Sequence, residues 1–155
     1  MKVIAAKNIG FCFGVERAVS LAEQTAKSCA SAVTLGPIIH NRHVVERFEA
    51  MGLREIARAE DAQPGQTVVI RAHGIPAGEQ KALAVRGAAM VDATCPFVKK
   101  IHVIAQKAER EGRSLLIIGT PTHPEIIDGI LCYLQAHGYT NLSIIESSWV
   151  GDSTA

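Results

Sequence analysis

The sequence predicts an α/β protein made of small parallel-sheet lobes with flanking helices. Short apolar runs alternate along the chain with amphipathic stretches, and this alternation is typical of βα units wound into a parallel sheet. At 155 residues, of which 48% are apolar and 20% charged, the chain is large enough for one domain or for two small lobes.

The first four elements are predicted from apolar runs and helical periodicity. They are a strand at 2–6, a helix at 14–29, a strand at 33–39 and a helix at 41–51. In the first helix, apolar residues recur every three or four positions while charged residues, Arg17 among them, are left to solvent. In the second helix an apolar stripe ends at Met51, and Gly52 is well placed to stop the helix.

The later elements continue the same alternation. They are strands at 67–72, 90–93, 114–119 and 142–145 and helices at 76–86, 96–111 and 124–136. Pro64 and Gly65 form a turn ahead of the first of these strands, and a proline begins each of the three helices. In the longest helix the residues expected to face inward are Val98, Ile101, Ala105 and Ala108. The segment 147–155 shows no pattern and is expected to fray.

Every predicted junction between a strand and the following helix carries a cysteine or a histidine. These residues are Cys12, His40, His73, Cys95 and His123. In open parallel sheets such junctions lie together at the carboxyl ends of the strands, where ligands bind. We therefore expect the five side chains to converge on one crevice.

The residue types at these junctions suit a metal and an anion. The positive end of a helix dipole stabilises the thiolate of a cysteine that precedes the helix, as Cys95 does, and thiolate is the form that binds metals. His40, His73 and His123 precede helix N-termini, whose free N–H groups bind phosphates. Glu125, in the first helical turn after His123, either complements the helix dipole or donates a proton at the site.

The other cysteines and histidines are expected to be structural. Cys12 and Cys95 could themselves be small buried residues, but Gly10 and Gly14 around Cys12 would let the backbone approach a bulky ligand. Cys29 and Cys132 lie at the end of a helix and inside one, where burial is the simpler explanation. The histidines assigned to solvated or helix-capping positions are His43, His102 and His137.

Composition excludes several classes of protein. Lys+Arg 16 against Asp+Glu 15, with 5% aromatic residues, provides no basic surface for nucleic acid. No apolar stretch is long enough to span a membrane and no signal-peptide core is present, so we expect a cytoplasmic protein. The four cysteines include no CxxC pair, which argues against a zinc ribbon.

Taken together, the motifs resemble one family. They are GFCFGVERA at 10–18, IHN at 39–41, RAHG at 71–74, DATCP at 92–96 and HPE at 123–125. Their order and spacing resemble the 4-hydroxy-3-methylbut-2-enyl diphosphate reductase family, iron–sulfur enzymes of the methylerythritol phosphate route to isoprenoids. The resemblance runs from residue 1 to about 129 and is weak from about 131 onward.

The resemblance implies a three-lobed trefoil around a [4Fe-4S] cluster held by three cysteines. This chain would supply the first lobe, at 1–95, and an incomplete second lobe, at 96–155, with the third lobe absent. Cys12 and Cys95 match the first two cluster ligands. By the same matching, the residues that bind the diphosphate are His40 and His73, the residue near the substrate chain is His123, and the proton donor is Glu125.

The resemblance also implies a reaction and its partners. Such enzymes take electrons from ferredoxin or flavodoxin and convert (E)-4-hydroxy-3-methylbut-2-enyl diphosphate into isopentenyl and dimethylallyl diphosphates. The third cysteine ligand belongs to a family segment beyond residue 155, so we expect the isolated chain to be inactive. Two alternatives remain open: a non-catalytic diphosphate-binding module, and a mononuclear zinc or iron protein that uses Cys12, Cys95 and a junction histidine.

Overall fold

The computed structural model describes residues 3, 4 and 7, 9–118 and 142–145. Helices in these ranges are α1 (Phe13–Ser28), α2 (Arg42–Ala50), α3 (Ala77–Val85) and α4 (Pro96–Arg110), with a 3-10 turn at Ala59–Asp61. Strands are β1 (Val33–Leu35), β2 (Arg54–Ile56), β3 (Thr67–Ile70), β4 (Ala89–Asp92), β5 (Leu115–Ile118) and β6 (Leu142–Ile145). The predicted helices in this part of the chain are confirmed to within two residues at each end.

The strands form two parallel sheets, which confirms the predicted fold class. The larger sheet has the order β2-β1-β3-β4, and β5 pairs with β6 in the smaller one. In the larger sheet Leu35 is paired with Ile70, and Ile70 with Asp92. The carboxyl ends of β1, β3 and β4 therefore lie level with one another at one edge.

Helices cover both faces of the larger sheet. Val68 and Val69 are adjacent in β3 and fully buried, but they belong to two different apolar clusters because successive strand residues point to opposite faces. One cluster joins Val69 to residues of α1 and α2 such as Ala22 and Phe48. The other joins Val68 to Leu83 of α3. Burial on both faces explains why β3 is a continuous apolar run.

Three strand predictions need correction. The strand predicted at 33–39 is shorter and ends at Leu35. The sequence signal misses β2, because this short edge strand consists of exposed Arg54, exposed Glu55 and half-buried Ile56 and has no apolar run. The strand predicted at 2–6 is wrong at its described positions. Val3 and Ile4 have no strand assignment and are each 79% exposed.

The inward face of α4 is narrower than predicted. Val98 and Ala105 are buried as expected, but Ile101 is 41% exposed and Ala108 is only half-buried. These two lie on the side of the helix that turns away from the buried stripe. No helix in the described ranges is long and apolar enough to cross a membrane. The helix predicted at 124–136 and the segment 147–155 lie outside the described residues.

Candidate functional site

Three of the predicted junctions lie side by side at the carboxyl edge of the larger sheet. Beyond the ends of the strands, backbone hydrogen bonds continue to link neighbouring segments: Ala72 N–H donates to the Ile38 carbonyl at 3.1 Å, and Cys95 N–H donates to the Ala72 carbonyl at 2.9 Å. These bonds hold the segments that carry His40, His73 and Cys95 next to one another. The predicted convergence is confirmed for these segments.

The imidazoles of His40 and His73 stack. Their ring centroids are 4.8 Å apart and the ring planes differ by 27°. The Asn41 side chain, directly after His40, caps α2 by accepting hydrogen bonds from the N–H groups of His43, at 3.1 Å, and Val44, at 3.3 Å. These two N–H groups are therefore engaged by Asn41.

The fourth junction, at Cys12, meets the same edge through α1. A methyl group built on Gly14 would lie well inside van der Waals contact with Sγ of Cys95 and 3.2 Å from its Cβ. Cys12 is two residues before Gly14, and two residues span at most about 7 Å. Gly14 thus lets the N-terminus of α1 approach Cys95, and the two thiols lie at one corner of the sheet.

Both thiols are free to bind a ligand. Cys12 and Cys95 occupy the N-cap positions of α1 and α4, and neither side chain makes a capping hydrogen bond. Cys12 is exposed, and Cys95 is half-buried. Two accessible thiols at the positive ends of two long helices form a donor set that suits a soft, positively charged metal group.

A polar cleft of about 200 Å³ lies beside Cys95 and is lined by residues such as Asp92, Lys99 and His102. Lys99 pairs with the Asp92 carboxylate. Burial acts to raise the pKa of Asp92, but hydrogen bonds from Lys99 and Thr94 outweigh it and hold this pKa below its ordinary value of 3.8. Burial lowers the pKa of His102 from 6.5, and the nearby Asp92 charge opposes this only in part.

Two residues differ from their predicted environments. Arg17 is half-buried instead of solvated, because its guanidinium donates to two backbone carbonyls before Cys95. His102 is half-buried against Gly74, where an added methyl carbon would lie 3.5 Å from its Cε1. The sequence does contain a signal for the position of Arg17: it is three residues after Gly14 and therefore lies on the same face of the helix.

The remaining predicted residues fall into two groups. Among the described ones, the His43 side chain is 93% exposed, as predicted. Cys29 is partly buried against the core at the opposite end of α1 from Cys12, as expected for a structural residue, and its thiol contacts the Thr67 hydroxyl at 3.3 Å. Outside the described residues lie His123, Glu125, Cys132 and His137.

The described residues offer two thiols but no complete metal site. In these ranges no group of three His, Cys, Asp or Glu side chains could hold a metal ion. His40 and His73 therefore do not complete a mononuclear site with Cys12 and Cys95.

Comparison with known proteins identifies the family. The sequence profile of the LytB protein family matches residues 3–150. The chain belongs to the LytB family. Among its LytB relatives, the 4-hydroxy-3-methylbut-2-enyl diphosphate reductase of Aquifex aeolicus is 45% identical over 135 residues, which are 86% of this chain and 46% of that protein. The reductase of Citrifermentans bemidjiense is 42% identical over 139 residues, or 90% of this chain and 49% of that protein.

Solved LytB structures support the same family assignment. One structure of (E)-4-hydroxy-3-methyl-but-2-enyl diphosphate reductase, described as the terminal enzyme of the non-mevalonate pathway, matches with a TM-score of 0.77 and 42% identity over 94% of this chain and 51% of that one. The Plasmodium falciparum reductase matches with a TM-score of 0.77 and 30% identity over 90% of this chain and 42% of that one. The chain thus spans about half the length of the LytB relatives it matches, and the resemblance inferred from its motifs is confirmed.

Proposed function

We propose that this chain is the amino-terminal part of a reductase that removes the hydroxyl group of (E)-4-hydroxy-3-methylbut-2-enyl diphosphate and yields isopentenyl and dimethylallyl diphosphates. The observation that carries the proposal is the meeting of two thiols and two stacked imidazoles at one sheet edge, in a chain whose relatives are named for this reaction. In this proposal residues 1–95 form the first lobe and 96–155 an incomplete second lobe.

Cys12 and Cys95 are the proposed ligands of an iron–sulfur cluster of the [4Fe-4S] type. The close approach at Gly14 supports this role, because it brings together two thiols that each lie at the N-terminus of a helix. When bound, such a cluster supplies low-potential electrons and a Lewis-acid iron. By the resemblance to the family, such a cluster takes a third cysteine ligand besides Cys12 and Cys95.

His40 and His73 are the proposed diphosphate ligands. Their stacked rings bring two imidazoles together at the carboxyl edge of the sheet, and His73 comes four residues before α3, whose N-cap residue makes no side-chain capping bond. Uncapped backbone N–H groups and imidazoles together bind phosphate oxygens. This arrangement would hold the diphosphate and direct the allylic end of the substrate toward the thiol corner.

Hydroxide is a poor leaving group, so its departure needs a proton donor. Glu125 is the proposed donor, and His123 is the proposed contact to the substrate chain. As the C–O bond breaks, the hydroxyl takes a proton and leaves as water, while electrons and a further proton complete the new C–H bond. Ferredoxin or flavodoxin is the proposed electron source, and the cytoplasm is the proposed location.

A chimera tests the proposal. Residues 1–129 of this chain replace the matching segment of the Aquifex aeolicus reductase, and the purified protein is reconstituted anaerobically with iron and sulfide. We expect substrate turnover with dithionite and a viologen mediator. Cys12→Ser should abolish both turnover and the brown cluster absorbance, whereas the matched control Cys29→Ser should keep both. A chimera that is folded and loaded with iron but shows no turnover would refute the proposed reaction.

The same variants decide between the proposal and an anion-binding module. In the chimera, the module predicts equal diphosphate affinity for the unsubstituted protein and for the Cys12→Ser/Cys95→Ser variant, with no iron bound by either. The reductase proposal predicts that only the chimera with both cysteines binds iron. Titration with inorganic diphosphate and iron analysis of the two proteins provide both measurements.

A further inference from the structure

Arg17 links the two segments that carry the thiols. It lies on α1, one turn after the Cys12 junction, and its guanidinium reaches across to the segment that joins β4 to α4. Nη1 donates to the Thr94 carbonyl at 3.2 Å, and Nη2 approaches the Asp92 carbonyl at 3.4 Å. A guanidinium is suited to this bridge because its N–H groups form a rigid planar fork.

The peptide unit between Thr94 and Cys95 is held from two sides. Its carbonyl, that of Thr94, accepts from Arg17, while its N–H, that of Cys95, donates to the Ala72 carbonyl at 2.9 Å. The N–H of Thr94 lies in the preceding peptide unit and donates to the Asp92 carboxylate at 2.9 Å. Thr94 itself is buried, and its carbonyl carbon is bonded directly to the nitrogen of Cys95. Fixing the orientation of this peptide therefore restricts where the Cys95 thiol can point.

Contact and hydrogen bonding act together at this corner. Glycine at position 14 leaves room for α1 to lie close to Cys95, but the absence of a side chain provides no attraction between the two segments. Arg17 supplies directional bonds between the same two segments, and hydrogen bonds from a charged donor are stronger than neutral ones.

We propose that Arg17 is a positioning residue that sets the Cys95 thiol at a fixed distance from Cys12. The importance of this distance for a metal group rests on the proposed function, whereas the distance itself is a property of the chain alone. Without Arg17, the thiols sample wider separations and capture a shared bridging group more slowly.

The test measures thiol separation directly in the full 155-residue chain. In a Cys29→Ser/Cys132→Ser background, dibromobimane becomes fluorescent when it links Cys12 to Cys95, and the rate of linking reports their proximity. We expect Arg17→Met to lower this rate by about fivefold, which corresponds to the loss of one net hydrogen bond. The matched control, Arg110→Met, removes an exposed arginine at the end of α4 and should leave the rate unchanged.

A second variant keeps the test decisive if Arg17→Met does not fold, as judged by far-UV circular dichroism. Arg17→Lys retains the charge, but a single ammonium group cannot span both carbonyls, so we expect a smaller drop in rate. A linking rate equal to that of the wild type in the folded variant overturns the proposal.

Iron analysis separates this inference from the proposed function. The iron arm uses the chimera described above, in which the Aquifex aeolicus segment supplies the remaining ligand. After anaerobic reconstitution we expect the Arg17→Met chimera to retain less iron than the wild-type and Arg110→Met chimeras. Slower linking in the Arg17→Met chain with no iron in any chimera would support positioning and refute the cluster. Iron bound equally by wild type and Arg17→Met, with equal linking rates, would refute positioning and leave the cluster supported.

Discussion

Replacing Gly14 by alanine tests the packing on which the site depends. Gly14 is the second residue of α1, and its backbone conformation is helical, so alanine alone would favour the helix by up to about 1 kcal/mol. Its methyl group, however, would overlap Sγ of Cys95 and lie 3.2 Å from Cβ. Forcing an extra methyl into a packed position costs about 1–3 kcal/mol. We expect a net loss of about 1–2 kcal/mol in the free energy of unfolding.

The chain contains a matched control for this change. Gly78 is the second residue of α3, as Gly14 is of α1, and an added methyl there meets no heavy atom within 4 Å. Gly78→Ala should therefore be neutral or stabilising. In the double variant Gly14→Ala/Cys95→Ala the Sγ atom is gone and only the Cβ contact remains, so most of the lost stability should return relative to Cys95→Ala alone.

Urea denaturation followed by far-UV circular dichroism provides the free energies, and iron analysis after reconstitution reports the site. Gly14→Ala should be less stable than wild type and retain less iron. The reasoning fails if Gly14→Ala has the same free energy of unfolding as Gly78→Ala. It also fails if Gly14→Ala lowers the free energy of unfolding by the same amount when Cys95 is alanine.

Three further changes have defined outcomes. Asn41→Ala removes the cap of α2 and should cost about 1 kcal/mol in urea denaturation, whereas Asn41→Asp should not; equal losses would contradict the capping role. Because the folded pKa of His102 lies below 6.5, the unfolded chain binds protons first as the pH falls. Stability should therefore decline below about pH 6.5, and a His102→Gln variant with the same decline would show that another group is responsible. Gly74 has a φ of +84°, so Gly74→Ala should cost about 1–2 kcal/mol, and an unchanged urea midpoint would contradict this strain.

Much of the fold was predictable because its signals are local. The helices combine apolar periodicity with explicit ends, such as Pro96 at the start of α4 and Gly52 after α2. Convergence of His40, His73 and Cys95 followed from the general rule that parallel strands end at one edge. Each of these inferences needs only a few neighbouring residues and a rule of topology.

The parts that could not be predicted depend on long-range partners. The sequence places Arg17 on the same helix face as Gly14, but it does not show what Arg17 binds. The bonds of Arg17 go to backbone carbonyls, which every residue has, so no residue type at 92 or 94 signals them. The half-burial of His102 depends on its packing near Gly74, which lies far away in the sequence. Strand β2 is formed by pairing with β1, although two of its three residues are charged.

The position of Cys95 has a consequence for the order of events during synthesis. Cys12 is made early, but the segment that it meets is the last of the larger sheet to leave the ribosome, after β4 has joined β3. Until then Cys12 has no second thiol beside it, and contacts between residues as far apart in the sequence as Cys12 and Cys95 form slowly. Loading of iron would therefore follow completion of this sheet, and a nascent chain shorter than 95 residues would expose Cys12 to oxidation without Cys95 beside it.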